Sequence, residues 1–469
     1  MVLPPWIVRS RIKRRKFLKL SQMVLAGSVL GLGSNLGTYS SHASQKPTVL
    51  ILGAGLAGLA AAKALTQVGY SVQVLEARER IGGRTWTSQT WADAPVDMGA
   101  SWIHGLDGNP LTTLAQSISA DLVTTDSENA WVYGPAGNLL DEVGESQLED
   151  WIERVEKALR QGQNRDPDQS VHTTVLGGLN GATLSLQEQQ WLYFVLTSTI
   201  EHQYAGSAEE LSTHWYDDGG AYDGSDALFV QGYQTIVEHL AAGLTIRLRE
   251  EAKAIRWGSA EVVVSTSQNS YSADKVIVTL PLGVLKANQV TFEPELPESK
   301  RRAIQGLGMG VLNKCYLRFP EVFWPETVDW IEQVSPQRGA WTSWVSLVPS
   351  LGLPILLGFN AATYGRALES QSDGEIVDSA LQTLTRLFGE AVRDPVGYQI
   401  TRWSADPFAR GSYSFNAVGS TPQMREHLAE NLSGKVFFAG EATERHAFGT
   451  AHGAYLSGLR AAQEIIEFT

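Results

Sequence analysis

The sequence predicts an α/β fold that starts with a nucleotide-binding βαβ unit, and residues 48–76 carry that prediction. An apolar run, Val49–Leu52, is followed by residues 59–68, which have the pattern of a helix. A second apolar run, Ser71–Leu75, ends at Glu76, an acid about 20 residues further on. The turn between the first strand and the helix carries glycines with G-x-G-x-x-G spacing, Gly53, Gly55 and Gly58. This arrangement is typical of a Rossmann-like dinucleotide-binding domain.

Each glycine of the turn has a physical role in such a unit. Gly53 allows the sharp turn, Gly55 lets the backbone approach a pyrophosphate, and Gly58 lets the helix pack close to the strand. The first turn of the helix offers free N–H groups to phosphate. Glu76 is placed to accept a hydrogen bond from a ribose 2′-hydroxyl. The glycine motif by itself does not distinguish NAD from FAD as the bound dinucleotide.

Length and charge narrow the class of protein. The chain has 469 residues, which is enough for about two or three domains, and its composition fits a globular protein. The formal net charge is −13, and it becomes −20 without the seven basic residues of positions 1–43, a segment that has no acid. The strong negative charge of the chain after position 43 disfavours nucleic acid and anionic membranes as partners and is compatible with a cationic substrate. Cys315 is the only cysteine, so an internal disulfide is excluded.

Residues 1–43 are predicted to be a twin-arginine signal peptide. Residues 14–19 read Arg-Arg-Lys-Phe-Leu-Lys, and the apolar stretch over 20–36 is interrupted by glycines and too weak for a transmembrane helix. Ser41-His42-Ala43 has the form of a cleavage site, so we expect cleavage after Ala43. This pathway carries folded, cofactor-loaded proteins. We therefore expect transient contact with the export machinery, no stable membrane span, and a location in the periplasm or an equivalent extracytoplasmic compartment.

The segment over 76–84 distinguishes FAD from NAD. It reads Glu-Ala-Arg-Glu-Arg-Ile-Gly-Gly-Arg, and it resembles the second FAD-binding motif of the flavin-dependent amine oxidases, E-A-R-x-R-x-G-G-R. The resemblance implies that Arg78, Gly83 and Arg84 bind FAD, the last two along its pyrophosphate and ribityl chain. NAD enzymes of the ordinary Rossmann type lack such a segment. Motifs of the family continue in family order over 48–469.

Two segments resemble the polyamine and spermine oxidases of that family. Residues 99–105 read Gly-Ala-Ser-Trp-Ile-His-Gly, and the match implies that His104 lies near the substrate amine, where it can accept a proton. Residues 312–314 read Leu-Asn-Lys, and the match implies that Lys314 holds a water against flavin N5. A lysine in this apolar stretch is costly to bury without a partner, which independently favours a role for it.

The aromatic residues of the predicted substrate site depart from the family. Residues 403–413 follow the family pattern W-x-x-D-P-x-x-x-G-S-Y, which implies that Trp403 and Tyr413 face the flavin. Many amine oxidases hold the amine between two aromatic rings, and the second is usually a tyrosine in the segment after the F-A-G-E motif. That position is Ala447 here, with Phe448 beside it. Either the Phe448 ring takes the place of the second aromatic ring, or that side of the amine site is open and admits a bulkier or differently oriented amine.

The end of the chain resembles the family signature F-A-G-E followed by H-G-A-x-x-S-G. The match implies that Glu441 bonds to the ribityl chain and that the Thr450–Ala451 backbone faces flavin N1 and O2, where the positive end of a helix stabilises the reduced anion. The backbone of Ala252 is implied to meet the adenine. Monoamine oxidases tether FAD through a cysteine at the position of Ser412, so we expect non-covalent FAD.

The chain is predicted to pass between two domains more than once. Residues 46–103, 221–290 and 431–469 are assigned to the FAD-binding domain, of the glutathione reductase or amine oxidase type. Residues 104–220 and 291–430 are assigned to an interleaved α+β substrate-binding domain. Acids in and just after the first of these segments are candidate partners for a substrate cation: Glu201, Asp217, Asp218 and Asp223. No metal site is expected.

The function implied is FAD-dependent oxidation of an amine, with spermine or spermidine as the expected substrate. A neutral amine gives a hydride to flavin N5, O2 is the acceptor, and the products are an aldehyde, a shortened amine and hydrogen peroxide. An L-amino-acid oxidase would need an arginine where this chain has Ser101-Trp102. A monoamine oxidase of the tyramine type, a desaturase or isomerase, a chromatin-type demethylase and a non-catalytic flavoprotein are the remaining possible functions. The leader and the lack of a partner-binding insertion disfavour the last two.

Overall fold

The computed structural model describes residues 46–179 and 183–468. The predicted signal peptide lies outside the described residues. In the described part of the chain, no helix is both long enough and apolar enough to cross a membrane.

The strands are short, and most belong to a few sheets. In chain order they are β1 (Thr48–Leu52), β2 (Ser71–Leu75), β3 (Thr87–Ser88), β4 (Val96–Asp97), β5 (Trp102–Ile103), β6 (Leu122–Thr125), β7 (Ala130–Tyr133), β8 (Asp226–Phe229), β9 (Ile246–Arg247), β10 (Ala252–Arg256), β11 (Val262–Thr266), β12 (Ser270–Ala273), β13 (Lys275–Val278), β14 (Thr291–Glu293), β15 (Gly308–Met309), β16 (Leu312–Arg318), β17 (Trp330–Gln333), β18 (Ser343–Ser346), β19 (Ile355–Ala361), β20 (Gly397–Ile400), β21 (Ser414–Phe415) and β22 (Val436–Phe438).

The helices vary from one turn to about six turns. They are α1 (Leu56–Gln67), α2 (Pro110–Ser117), α3 (Glu142–Gly162), α4 (Val171–Gly178), α5 (Leu186–Leu196), α6 (His202–Tyr204), α7 (Gln234–Ala241), α8 (Leu282–Lys286), α9 (Glu298–Gly306), α10 (Val348–Leu351), α11 (Ala362–Leu368), α12 (Asp373–Phe388), α13 (Gln423–Ala429) and α14 (Ala451–Glu467). A π-helical turn, Thr197–Glu201, joins α5 to α6.

The predicted nucleotide-binding unit is confirmed. A parallel sheet has the strand order β22-β13-β1-β2-β9, with β1 at its centre. Gly53 turns the chain at a φ of +110°, a conformation that side-chain-bearing residues rarely adopt. A Cβ on Gly58 would lie 2.0 Å from the Gly53 carbonyl oxygen, so only glycine lets α1 approach β1 this closely. The fold class, α/β with a Rossmann-like sheet, follows from these contacts.

A second, larger sheet forms the other half of the molecule. Its order is β20-β16-β19-β18-β17-β7, and neighbouring strands are antiparallel except for β17 and β7. Helices α3, α4 and α5 pack around a separate apolar core that includes Trp151 and Trp191. The six-stranded sheet carries Lys314 on β16 and places Trp330 at the start of β17.

Two elements lie across the predicted domain boundaries. Strand β14 pairs with β10, so the sheet β12-β11-β10-β14 continues past residue 290. Helix α2 contributes Leu111 and Ala115 to the same core as α1 and α14, although the predicted boundary precedes it at residue 104. The predicted boundaries therefore miss short segments that return to the nucleotide-binding half.

Candidate active site

A cavity of about 900 Å³ lies between the two halves. One end is the N-terminus of α1 at Gly55, and the N-terminus of α14 at Thr450 and Ala451 also opens into it. Helices α1 and α14 touch closely, because a Cβ on Gly458 would lie 2.1 Å from the carbonyl oxygen of Ala57. The two helix N-termini, each with the positive end of a helix dipole, thus face the same space.

The glycine turn leaves this end of the cavity open to a ligand. A Cβ on Gly55 would meet only the Gly82 carbonyl oxygen, at 3.9 Å, and nothing lies within 4 Å of one on Gly440. Both residues line the cavity. Gly83, with a φ of +59°, follows Gly82 in the loop that faces Gly55. Backbone N–H groups at such a turn suit the phosphates of a nucleotide.

Glu76 and Arg78 have structural partners. The Glu76 carboxylate, 5% exposed, accepts hydrogen bonds from the backbone nitrogens of Ala54 and Arg78, both at 2.8 Å. Arg78 forms a two-bond ion pair with Asp406, at 2.7 and 2.8 Å. These contacts hold the 76–84 loop against the glycine turn and against the 403–413 segment. Neither side chain is among those that line the cavity. Ala252 lies buried at the start of β10. The predicted contacts of Glu76, Arg78 and Ala252 with the cofactor stay predictions.

Arg84 and Glu441 form an ion pair on the cavity wall. Arg84 Nη1 lies 2.7 Å from Glu441 Oε1 and donates a second bond to the carbonyl of Ser412. Glu441 Oε2 accepts from the Ser414 hydroxyl at 2.6 Å and from the Gly449 nitrogen at 3.0 Å. Burial alone would raise the pKa of Glu441, but Arg84 and Ser414 hold that pKa below its usual value. The pair joins three segments that are distant in sequence.

Lys314 is buried at the inner part of the cavity. Its Nζ donates to the carbonyls of Asp97 and Gly99, both at 2.7 Å, and also contacts the Ser101 hydroxyl. Burial lowers the pKa of Lys314 and raises that of the neighbouring Asp97 carboxyl, and the opposite charges counteract both shifts. The lysine therefore fixes the loop over 97–101. Its expected contact with a water beside flavin N5 stays a prediction.

His104 lies at the mouth of the cavity. Its Nδ1 is 3.0 Å from Asp226 Oδ2, and its side chain is 57% exposed. The other Asp226 oxygen accepts a bond from the Gly105 nitrogen at 2.8 Å, which fixes the position of the acid. The sequence does not indicate Asp226, because nothing in the 99–105 motif points to a residue more than a hundred positions later.

The predicted aromatic residues meet in the cavity. The Tyr413 hydroxyl donates to the His202 carbonyl at 2.9 Å, and Trp403 Nε1 donates to the Met98 carbonyl at 3.3 Å. Phe448 lies beneath the guanidinium of Arg425, 4.0 Å from the ring centroid. Tyr413, Trp403 and Phe448 all line the cavity, and so does Ala447.

A further aromatic wall is not predicted from the sequence, although one of its residues, Trp102, lies in the 99–105 segment. Trp102, Trp330 and Phe359 line the cavity with ring centroids 6.1 to 6.2 Å apart. They come from β5, β17 and β19, three strands that only the tertiary fold brings together. Aromatic faces beside carboxylates favour a bound cation.

The prediction that Glu201 binds substrate is wrong. Glu201 is 4% exposed and lies outside the cavity lining. Its oxygens accept bonds from the Thr197 hydroxyl, the Ala208 nitrogen and Arg338, at 2.9, 3.0 and 3.2 Å. These partners give Glu201 a structural role. Of the three acids predicted beside it, Asp223 lines the cavity, whereas Asp217 accepts a bond from Gln163 instead.

A different set of acids gives the cavity its negative charge. In the described residues, the carboxylates that line the cavity besides Glu441 are Asp126, Glu128, Asp223, Asp226 and Asp329. Asp329 is 7% exposed, and its Oδ2 accepts a bond from Asn129 Nδ2 at 2.9 Å. Burial raises the pKa of Asp329. Apart from Asp223, these acids carry no sequence motif that would indicate them.

Comparison with known proteins decides the class of this site. The profile of the family described as flavin containing amine oxidoreductase matches residues 56–466. The chain belongs to that family. It is therefore an amine oxidase that works with a flavin, as the motifs indicate.

Named relatives of this amine oxidase include oxidases and demethylases. Polyamine oxidase 4 of Oryza sativa subsp. japonica is 35% identical over 448 residues, which cover 92% of this chain and 91% of the relative. Lysine-specific histone demethylase 2 of Homo sapiens is 32% identical over 494 residues, covering 99% of this chain and 60% of the relative. A solved structure of putrescine oxidase bound to putrescine has a TM-score of 0.73 at 20% identity, covering 90% of this chain and 99% of that one. The likeness to the solved structure confirms the fold.

The cavity of this amine oxidase fits a flavin nucleotide. The open glycines at Gly55 and Gly440 leave room for a backbone-bound phosphate and sugar chain, and the Arg84–Glu441 ion pair lines the same space with polar groups. Thr450 caps α14 by accepting a bond from the Gly453 nitrogen at 2.9 Å, so the helix N-terminus is held in place at the cavity wall. Such an N-terminus stabilises negative charge on a reduced flavin.

His452 gives the amine oxidase a pH-dependent stability. Burial, with His104 nearby, lowers its pKa to about 4, whereas the unfolded value is 6.5. The unfolded chain therefore takes up the proton first, and stability present above about pH 6.5 falls by about 3 kcal/mol as the pH decreases toward 4. We expect urea midpoints of the wild type to follow this loss. A His452→Gln variant should lack this part of it, and parallel pH profiles for the two proteins would contradict the assignment.

Proposed function

We propose that this enzyme oxidises polyamines such as spermine and spermidine. The observation that carries the proposal is the set of carboxylates in the cavity lining, which share the cavity with the aromatic wall formed by Trp102, Trp330 and Phe359. A substrate with several ammonium groups can place one at the reaction site and the others against these acids. The relative named polyamine oxidase 4 supports the same substrate class.

The residues of the chain have separable tasks in this reaction. Tyr413 and Phe448 confine the amine, and the apolar wall lowers the pKa of its ammonium group so that the nitrogen can lose a proton. His104, held by Asp226, accepts that proton. A flavin bound in this cavity would supply the acceptor for a hydride from the carbon beside the nitrogen, with O2 as the final electron acceptor. The overall change converts amine, water and O2 to an aldehyde, a shortened amine and hydrogen peroxide.

The cofactor is proposed to be FAD, held without a covalent bond. The βαβ unit, with Glu76 at the end of β2, supports an adenosine nucleotide. Ser412 exchanges hydrogen bonds with the Leu312 backbone at 2.8 and 3.0 Å, and Cys315, the only cysteine, is buried in β16. Acid precipitation should therefore release all flavin into the supernatant, and a yellow pellet would contradict non-covalent binding.

A peroxide assay with a panel of amines tests the substrate. The panel holds spermine, spermidine, putrescine, tyramine, L-lysine, L-arginine and a methyl-lysine peptide. We expect the highest kcat/KM for spermine or spermidine. The highest value for tyramine, for an amino acid or for the peptide would replace the proposal by a monoamine oxidase, an amino-acid oxidase or a demethylase, respectively.

The Asp329→Asn variant tests, in the same assay, whether this acid binds a distal ammonium group of the substrate. Removing this buried charge should raise the KM for spermine about tenfold, because a distal ammonium loses its carboxylate partner, and change the KM for tyramine less than about twofold. Asp93→Asn is the matched control, since Asp93 pairs with Arg318 on an exposed surface. Equal effects of Asp329→Asn on spermine and tyramine would contradict a distal-amine role.

We also propose that the enzyme is exported by the twin-arginine pathway. The support is the sequence alone, with the arginine pair at 14–15 and the small residues before position 44. N-terminal sequencing of the protein from the extracytoplasmic fraction should start at Ser44, and an intact Met1 there would refute cleavage.

A further inference from the structure

One wall of the cavity is a π-helical turn, Thr197–Glu201. Ser198 and Thr199 of this turn line the cavity, and the next residue after the turn, His202, receives the hydrogen bond of the Tyr413 hydroxyl on its carbonyl. A π turn holds one residue more than an α-helix needs, is rarely stable by itself, and occurs often at functional sites. The wall that positions Tyr413 therefore needs support from outside the helix.

That support lies on the far side of the turn, away from the cavity. The Thr197 hydroxyl donates to Glu201 Oε2 at 2.9 Å, so the first and last residues of the turn are bonded to each other. Glu201 Oε1 accepts from the Ala208 nitrogen at 3.0 Å and from Arg338 Nη2 at 3.2 Å. Arg338 itself is 33% exposed and comes from the loop after β17.

The charge balance makes the arginine necessary. Glu201 is only 4% exposed, and a buried carboxylate without a counter-ion is strongly unfavourable. Arg338 supplies the counter-ion and is held by a second acid, Glu209, with Nη1 and Nη2 at 2.6 and 2.9 Å. Its guanidinium also lies 4.4 Å from the centroid of the Tyr193 ring on α5.

We propose that the Arg338–Glu201 ion pair is a positioning device that keeps Thr197–Glu201 in the π conformation and so sets the place of Tyr413 beside the amine. Without Arg338, Glu201 turns toward water, and its bonds to Thr197 and Ala208 weaken. The turn then relaxes toward an α-helix, which shifts the His202 carbonyl away from the Tyr413 hydroxyl. The proposal rests on the amine oxidation described above but not on which amine is oxidised.

Arg338→Met tests the device. With the best amine of the panel, we expect KM to rise about tenfold and kcat to change less than about threefold, because the turn and Tyr413 contact the bound amine. Arg338→Lys, which keeps the charge, should recover most of the affinity. Arg393→Met is the control, since Arg393 pairs with Glu321 on the surface and lies outside the cavity lining, and its KM should stay within about twofold of the wild type. Arg338→Gln replaces the methionine variant if that protein does not fold.

A double variant separates this mechanism from a direct role of the arginine. Glu201→Gln combined with Arg338→Met should have a lower KM than Arg338→Met alone, because glutamine keeps an acceptor for Ala208 without a charge to bury. A double variant as impaired as the single one would overturn the proposal. So would a wild-type KM for Arg338→Met accompanied only by a lower Tm.

Hydrogen exchange gives a readout that needs no substrate. Amides over 197–208 should exchange faster in Arg338→Met than in the wild type, and the Arg393→Met protein should match the wild type. Unchanged exchange in Arg338→Met would also overturn the proposal. Absence of turnover by the wild type with every amine would refute the proposed function while leaving this measurement to decide the role of the ion pair.

Discussion

Replacing Lys314 with methionine is expected to reduce turnover on the order of 10²-fold while flavin stays bound. The substitution removes the donor shared by the carbonyls of Asp97 and Gly99 and the positive charge at the inner part of the cavity. Stopped-flow measurements would follow flavin reduction by the amine and reoxidation by O2 separately. We expect at least one of the two rates to fall, and unchanged values for both would remove Lys314 from the mechanism.

Lys300 provides the control for this experiment. It is 1% exposed, its Nζ donates to the carbonyls of Leu428 and Glu430 at 2.7 Å, and burial lowers its pKa to about 7. Like Lys314, Lys300 is a buried lysine that donates to backbone carbonyls, but it lies outside the cavity lining. Lys300→Met should lower the free energy of unfolding by about 2–4 kcal/mol and leave the rates of the folded, flavin-loaded enzyme unchanged. If both rates fell in Lys300→Met as well as in Lys314→Met, the effect of Lys314 would be explained by a general loss of folded structure.

Replacing Gly58 with valine is expected to reduce the flavin content of the purified protein at least about tenfold. The added Cβ would lie 2.0 Å from the Gly53 carbonyl oxygen, so α1 must move away from β1 and carry its N-terminal N–H groups with it. The free energy of unfolding should fall by about 3 kcal/mol or more. The ratio of visible flavin absorbance to protein measures the first effect, and denaturant unfolding measures the second.

Gly177→Ala is the matched glycine control. Gly177 lies within α4, and a Cβ there would meet nothing within 4 Å. The change should stabilise the protein by up to about 1 kcal/mol and leave its flavin content unaltered. A flavin-loaded Gly58→Val protein with wild-type stability would show that the close approach of α1 to β1 is not required.

The nucleotide-binding unit could be predicted because its causes are local. The sharp turn at Gly53 and the close packing at Gly58 are requirements of single backbone positions, and the sequence shows them directly. The same holds for Lys314, since a lysine in an apolar strand needs polar partners wherever that strand lies. Its actual partners, in the loop over 97–101, could not be read from the strand.

The error at Glu201 and the missed acids have the opposite cause. Glu201 sits in an apolar helical stretch facing a predicted substrate region, and only the fold shows that Arg338 occupies the carboxylate. Likewise, Trp330 meets Trp102, and Asp329 joins them in the cavity lining, because β17 and β5 converge on one cavity from distant parts of the chain. Long-range pairing of this kind has no signature in composition or spacing.

The close contact of Gly458 with Ala57 has a consequence for the order of assembly. Helices α1 (Leu56–Gln67) and α14 (Ala451–Glu467), whose N-termini open into the flavin cavity, lie far apart in the chain, and neither forms the site alone. Cofactor loading must therefore wait until α14 has been synthesised. Ribosome-bound chains that end before residue 451 should contain no flavin, which pull-down of stalled complexes can measure. A bound flavin thus indicates that α14 is present and packed on α1, and a chain truncated before α14 stays colourless.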